Sequence, residues 1–229
     1  MKYSISVFSL LSMFVCLSCN NNICTKQNEN VTLKYYESGF IKSQQAINNK
    51  GNRDGFSVDF RDDGSVHSSG FFEDGVHNGY TLIFHENNVP KELNLAEGMS
   101  VNGLHIEYYK TGIPKIIGYL DKNNLKQMGW IFYYKNGQVE EINNFKNDKL
   151  QGGQIVYHKT GRLAIIGDCE NGEKNGYWKY FDQNGNLLNI KKYDEGIENG
   201  RWEYFDENGK LTKIKVYKEG NLIETIDKS

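Results

Sequence analysis

Along residues 31–223 the apolar and polar positions recur with a period longer than any single strand or helix. With origins at Gly55, Gly79, Gly103, Met128, Gly152, Gly176 and Gly200, the spacings are 24, 24, 25, 24, 24 and 24 residues. A fixed period of this size marks an array in which each copy is one supersecondary unit. Five residues past each origin stands an aromatic: Phe60, Phe84, Tyr108, Tyr133, Tyr157, Phe181 and Phe205. At +9 the copies carry Gly64, Gly112, Gly137, Gly161, Gly185 and Gly209, with Asn88 in the second copy. At +14 and +17 the residues are mostly apolar, ending in Ile214 and Tyr217, and Cys169 fills one +17 slot as a small core residue. A partial copy with Tyr35, Tyr36 and Gly39 precedes the array.

The pattern predicts an all-β, antiparallel fold of tandem β-hairpins. Strand A is expected at about +1 to +7 and strand B at about +10 to +18, since glycines recur too often for helix and strong β-formers lie between them. Asp63-Gly64, Asn136-Gly137, Asn184-Gly185 and Asn208-Gly209 suit a type I′ turn, which needs φ > 0 at both central residues. A second set of turns is expected at the origins, as at Asn78-Gly79 and Asn175-Gly176. In strand A, +2 and +4 share one face and +1, +3 and +5 the other. The apolar offsets +11, +14 and +17 of strand B break period two and predict a bulge. Pro90 and Pro114 both fall at +11, where a strand start tolerates a missing N–H. Phe181 and Tyr133 at +5 are expected to be more buried than the tryptophans at +2.

The first residues have a different character. Lys2 is followed by an uncharged apolar run from Ile5 to Leu17, shorter than the roughly 20 apolar residues that span a bilayer. Leu17-Ser18-Cys19 resembles the end of a bacterial lipobox, with Cys16 where Leu is usual three places before the cysteine. That resemblance implies a signal peptide over 1–18, lipid attachment at Cys19 and a tether over 19–30, with 224–229 as a C-terminal tail. Plain secretion, with cleavage near Ser18, is the alternative. Cys24 and Cys169 would remain, and one pair without framework spacing leaves a disulfide between them open.

Composition narrows the function classes. The chain has 229 residues, 38% hydrophobic and 13% aromatic, with a net charge of −2. Nothing basic suggests a nucleic-acid partner. His67, His77, His85, His105 and His158 form no HExxH and have no cysteine at zinc spacing, so no metal or cofactor is expected and surface or strand roles fit them. No P-loop, GxGxxG or GxSxG occurs. Acids such as Asp182 and Asp206 recur at turns and are expected to be solvated, not catalytic.

The motif G-x-W-x-Y-F-D-x-N-G-x-L, followed by I-x-x-Y-x-x-G-x-x-x-G, resembles the bacterial variant of the MORN repeat over about residues 31–223. Copies from 128 onward carry it best; those at 55, 79 and 103 have Ser57, Thr81 and His105 in place of the +2 Trp. The resemblance implies an elongated single-layer sheet and a non-enzymatic role in contact with a protein or a membrane lipid. Some members are labelled antitoxins, which implies an inhibitor of a partner protein as a further alternative. Trp130, Phe132, Trp178, Tyr180, Trp202 and Tyr204 are the candidate partner-binding residues. They are expected to align as an aromatic stripe that is either the core of the sheet or an exposed contact surface. Carbohydrate or cell-wall binding is the runner-up, because aromatic faces also stack on sugars. An exported, envelope-anchored location follows from Cys19.

Overall fold

Runs of about seven to nine residues rich in Val, Ile, Phe and Tyr, each cut by a turn bearing Gly or Asn, favour strand over helix. The computed structural model describes residues 30–97 and 100–228. Among these residues eighteen strands, from Asn30–Tyr35 to Asn221–Asp227, form one antiparallel sheet without helix. Strands pair with their neighbours in sequence as a meander, except that Ile197–Glu198 and Gly200–Phe205 both pair with Leu187–Asp194, as two pieces of one interrupted strand. The last strand runs to Asp227, beyond the array end expected at 223.

One unit shows the geometry of the period. Strand B Val66–Glu73 is followed by the two-residue turn Asp74-Gly75, strand A Val76–Phe84 and a five-residue turn over 85–89. These eight, two, nine and five residues make up the 24-residue repeat. The single 25-residue spacing has a local cause: at 121–125 a five-residue turn replaces the two-residue one, and the strands on either side, Pro114–Leu120 and Lys126–Tyr133, are each one residue shorter.

The type I′ geometry expected at +8 and +9 is not found there. At 61–65, Arg61 N–H donates to Ser65 O (2.8 Å) and Gly64 N–H to Arg61 O (2.9 Å), and Gly64 alone has positive φ, 80°. This is a type I turn closed by a left-handed residue, and it recurs at Gly112, Gly137, Gly161, Gly185 and Gly209. The preceding Asn or Asp is spent on capping instead of on a left-handed backbone: Asn136 Oδ1 accepts from Gln138 N–H at 3.1 Å. Type I′ geometry lies at the other end, where both residues of Asp74-Gly75, Asn147-Asp148, Asn171-Gly172, Glu195-Gly196 and Glu219-Gly220 have positive φ.

The origins are therefore not turns. Gly79 lies inside Val76–Phe84 with φ 109°, and the pairs Gly70↔Thr81 and Phe72↔His77 leave three residues facing one. The origin is a bulge toward the preceding strand, and a left-handed residue lets the chain make the detour. The expected strand B bulge is present as well: Asp59↔Ser68 is followed by Phe60↔Val66, leaving His67 extra. Pro90 and Pro114 each begin a strand.

These registers sort the side chains into two faces. On one, +2 and +15 residues form a continuous row: Gln45↔Ser57, Ser57↔Gly70, Gly70↔Thr81, Thr81↔Asn94, Asn94↔His105 and onward to Trp202↔Lys215. On the other, +3 and +14 residues form a second row, aliphatic on every strand from Leu82↔Leu93 through Ile117↔Ile131 to Ile155↔Ile166. A third set of contacts joins successive hairpins at their ends. Tyr36, Tyr109 and Tyr134 Oη donate to the carbonyls of Phe60, Tyr133 and Tyr157 at 2.7–2.8 Å. His85 and His158 bond Tyr108 O and Phe181 O at the same +6 position, and Arg61 bonds Phe84 O. In the last two units Asp182 and Asp206 stand there and cap their own turns.

Two outcomes follow. Met128 alone among the origins is not glycine, and it holds φ 59° while 68% exposed. Met128→Gly is expected to stabilise the fold by about 0.5–1 kcal/mol, relief of left-handed strain exceeding the entropy of an added glycine, as read by urea denaturation. Asp74 accepts from Asn52, Asn48 and Lys50 across two loops, which holds its carboxyl down to about 2 from 3.8. A depressed carboxylate contributes stability above its unfolded value, and that contribution disappears as pH falls from about 4 toward 2. A nuclear magnetic resonance titration of the Asp74 carboxyl should show this midpoint, and Asn52→Ala should raise it.

Candidate functional site

The three tryptophans stand on strand A at +2, facing the row just described, and they are buried: Trp130 is 2% exposed, Trp178 1% and Trp202 4%. Phe181 and Tyr133 at +5 are only half-buried, so the expected order of burial is reversed. For Trp130 and Trp178 the cause lies in a glycine of the neighbouring strand, whereas Trp202, next to Lys191, is covered by Tyr193 and Tyr217. Gly118 and Gly167 occupy +15, and a Cβ on either would fall within the ring of Trp130 or Trp178. The missing side chain leaves a notch, and the indole of the next strand lies in it. The +5 aromatic sits beyond the strand B bulge at a hairpin end, where fewer strands can cover it.

The bulges also supply partners for the indole N–H groups. Where the ladder skips from Ile166↔Lys179 to Asp168↔Asn175, Trp178 Nε1–H donates to Asp168 O at 3.1 Å. Trp202 Nε1–H reaches Lys192 O at 2.9 Å, one repeat later, and Trp130 Nε1–H reaches Gln127 O at 3.1 Å. Buried donors are thereby satisfied.

The six candidate residues do not form one stripe. Trp130 groups with Phe132, Phe145 and His105, at ring separations of 6.5, 6.1 and 5.7 Å. Asn143, Gln154 and Gly167 then interrupt the row. Beyond the gap, Trp178 with Tyr180 and Trp202 with Tyr204 make a second group that draws in Tyr193 and Tyr217; Tyr217 lies 4.5 Å from Trp202. Lysines roof both groups. Lys126 stands 5.0 Å from the Trp130 centroid, and Lys174 lies 4.5 Å from Trp178. Burial pushes the phenols of Tyr180 and Tyr193 up. Cys169 is buried and forms no disulfide among the described residues, and burial pushes its thiol up, in keeping with a small core residue. Cys16, Cys19 and Cys24 lie outside the described residues.

In the N-terminal half the aromatic mass is on the opposite face. The row near the tryptophan level there holds Ser57, Thr81, Asn94 and His105, the last buried against Asn94. The +1 and +16 positions instead carry Phe56↔Phe71, Tyr80↔Leu95 and Leu104↔Tyr119. Phe71 touches both Phe56 and Tyr80, at 5.3 and 5.4 Å. Leu95 is 40% exposed and Leu104 37%. From 56 to 119 the four offsets +1, +3, +14 and +16 hold no charged residue, whereas from 129 to 216 they hold Asp168, Lys179, Lys192, Arg201 and Glu203. Comparing offsets +1 and +16 between the two halves would have exposed this change of face in the sequence.

Comparison with known proteins follows the same division. Residues 130–147, 174–195 and 198–224 match the MORN repeat variant. The tryptophan-bearing hairpins are similar to MORN repeats. Each matched segment contains one of Trp130, Trp178 and Trp202, while hairpins with Ser57, Thr81, His105 or Gln154 at +2 lie outside them. No curated protein matches the chain. Among solved structures, TcdB2-TccC3 is 11% identical over 84% of this chain and 13% of that one, with a TM-score of 0.26. TcdB2-TccC3-TEV is 14% identical over 82% of this chain and 12% of that one, with a TM-score of 0.24. The chain thus spans about an eighth of their length, and the likeness is too low to define a shared fold.

Burial makes the MORN-like tryptophans architectural. Trp178→Ala is expected to cost about 3–5 kcal/mol and Gly167→Ala about 1–3 kcal/mol, the latter by forcing the indole from its notch. Tyr177→Ala, at a side chain 60% exposed, should stay within about 0.5 kcal/mol. Urea midpoints of the three variants test the ranking, and a neutral Gly167→Ala would refute the notch.

Proposed function

We propose that this chain is a non-enzymatic scaffold of the bacterial cell envelope, held through a lipid on Cys19, which presents the apolar face of its N-terminal half to a partner protein. The observation that carries the reading is that uncharged face. A sheet buries one face against another layer or leaves it polar toward water. Between Phe56 and Tyr119 the face is apolar at every one of the four offsets except Ser69, and among the described residues no second layer covers it. A contiguous exposed apolar patch on a soluble array marks a contact site. The similarity of the C-terminal hairpins to MORN repeats supports a repeat scaffold. Support for the anchor is the apolar run ending in Ser18-Cys19. Carbohydrate stacking draws less support, since sugars need open ring faces and the three indoles are at most 4% exposed.

Affinity capture from envelope extract tests the proposal. Leu95→Lys with Leu104→Lys places two charges on exposed positions of the face and should leave the β spectrum unchanged. A partner retained by the natural chain should then be recovered at least about tenfold less, given the roughly 2 kcal/mol that central interface residues supply. Equal recovery by both chains would overturn the docking face. Cys19→Ala should move the protein to the soluble fraction, and unchanged membrane retention would remove the anchor from the proposal.

A further inference from the structure

The last hairpins depart from the array at a slot whose geometry does not demand it. At +15 the earlier copies hold Gly70, Asn94, Gly118, Asn143 and Gly167, whereas the last two hold Lys191 and Lys215. Cross-strand pairing sets Lys191 beside Trp178 and Lys215 beside Trp202, so cations alternate with indoles on neighbouring strands. Lys174 joins them from the start of its strand. Its Nζ lies 4.5 Å from the Trp178 centroid and 5.2 Å from Tyr193. Lys191 Nζ lies 4.5 Å from Trp202, and both ammoniums stand within 5.5 Å of the Tyr180 ring. Lys215 Nζ is 5.8 Å from Tyr204.

Ring faces attract ammoniums, but three cations gathered on a half-buried surface also repel one another. Burial, followed by Lys174, pulls the Lys191 ammonium below its usual range, with Lys215 adding to the effect and Glu198 opposing it. Arg53 and Lys213 on this face have carboxylate partners, Asp59 at 3.3 Å and Asp227 at 3.8 Å, whereas Lys126 over Trp130 forms no ion pair among the described residues and stands there as a single cation. Lys174, Lys191 and Lys215 form no ion pair among the described residues. Glu198, opposite Tyr193 in the ladder, leaves the group net positive.

We infer that Lys174, Lys191 and Lys215, together with the hydroxyls of Tyr180 and Tyr193, bind an oxyanion of the phosphate or sulfate class on the tryptophan face of the last hairpins. Lysine ammoniums meet such a group as point charges with freely rotating donors. Lys174 Nζ already donates to Tyr180 Oη at 2.9 Å, so ammonium and phenol point to one place. The aromatic floor beneath excludes water and strengthens each charge-assisted bond. The site is on the other face and in the other half from the apolar docking surface, and it stands without that proposal. A soluble phosphate ester and a phospholipid headgroup both present the group.

Titration of the full chain with inorganic phosphate at constant ionic strength, followed by tryptophan fluorescence, provides the test. Saturable binding is expected. Lys191→Met with Lys215→Met keeps the stems over the rings but removes two charges, and should weaken phosphate about tenfold or more. Lys146→Met, at an exposed lysine, should change nothing. If the double variant loses its β spectrum, the single change Lys174→Met takes its place with the same expectation. Flotation with phosphatidylglycerol against phosphatidylcholine vesicles distinguishes the sources. Anionic-vesicle retention that falls in the double variant identifies a headgroup, and retention equal to that of the natural chain, alongside variant-sensitive phosphate binding, identifies a soluble ester. A non-saturating response to phosphate, or equal affinity in a folded variant, would overturn the site and leave the lysines as braces for the rings.

Discussion

In a sheet one layer thick, a side chain can be covered only by its neighbours on adjacent strands, and the indole lying over a glycine is how this array meets that constraint. Gly118 and Gly167 give up their side chains so that Trp130 and Trp178 can lie down across the next strand. Other features serve that packing. The origin bulge frees a carbonyl that the Trp178 N–H takes, and lysines roof the rings, Lys126 and Lys174 from the start of the tryptophan's own strand and Lys191 from a neighbouring one. Where the tryptophan is absent, as at Ser57 and Thr81, the same row is small and polar, and apolar burial passes to the opposite face.

The period, the strands and the strand B bulge were legible in the sequence because glycine, aromatic and aliphatic slots repeat strongly. Turn types were harder. Asn-Gly suits a type I′ turn only when two residues make the whole connection, and here five do, so Asn136 caps while Gly137 takes the left-handed place. The two-residue connections mix the familiar pairs Asp74-Gly75 and Asn171-Gly172 with less familiar ones, Glu195-Gly196, Glu219-Gly220 and Asn147-Asp148, so pair identity does not separate the two turns. Burial was misordered for a related reason. Aromatic frequency at +5 reflects a hairpin end, whereas depth at +2 depends on what stands one strand away, a glycine beside Trp130 and Trp178 and a ring cluster around Trp202, and those neighbours are visible only once register is known. The +6 braces were hidden because Tyr, His and Arg share no propensity; what they share is a donor long enough to reach the next hairpin.

The two halves also solve the problem of water differently. In residues 56–119 the polar row is buried and the apolar surface lies open, which suits association. Beyond 129 rings and lysines close over the tryptophan face, and the opposite face acquires charges of both signs. A single repeat motif therefore yields two surfaces of unlike chemistry without a domain boundary, by moving bulk between positions one residue apart in a strand.

The +6 braces run along a single edge of the meander, and this bears on mechanics. Tension applied between the two ends of the array acts across the strands, so hydrogen bonds load one ladder at a time and the sheet peels hairpin by hairpin. Tyr36, Tyr109 and Tyr134 tie the hairpin ends along that edge, whereas Asp182 and Asp206 bond only within their own turns. The last two junctions are thus the compliant ones. A chain held at its N-terminus and pulled from the other end would yield first there, shedding length in steps of one repeat while the braced hairpins nearer the held end keep their form.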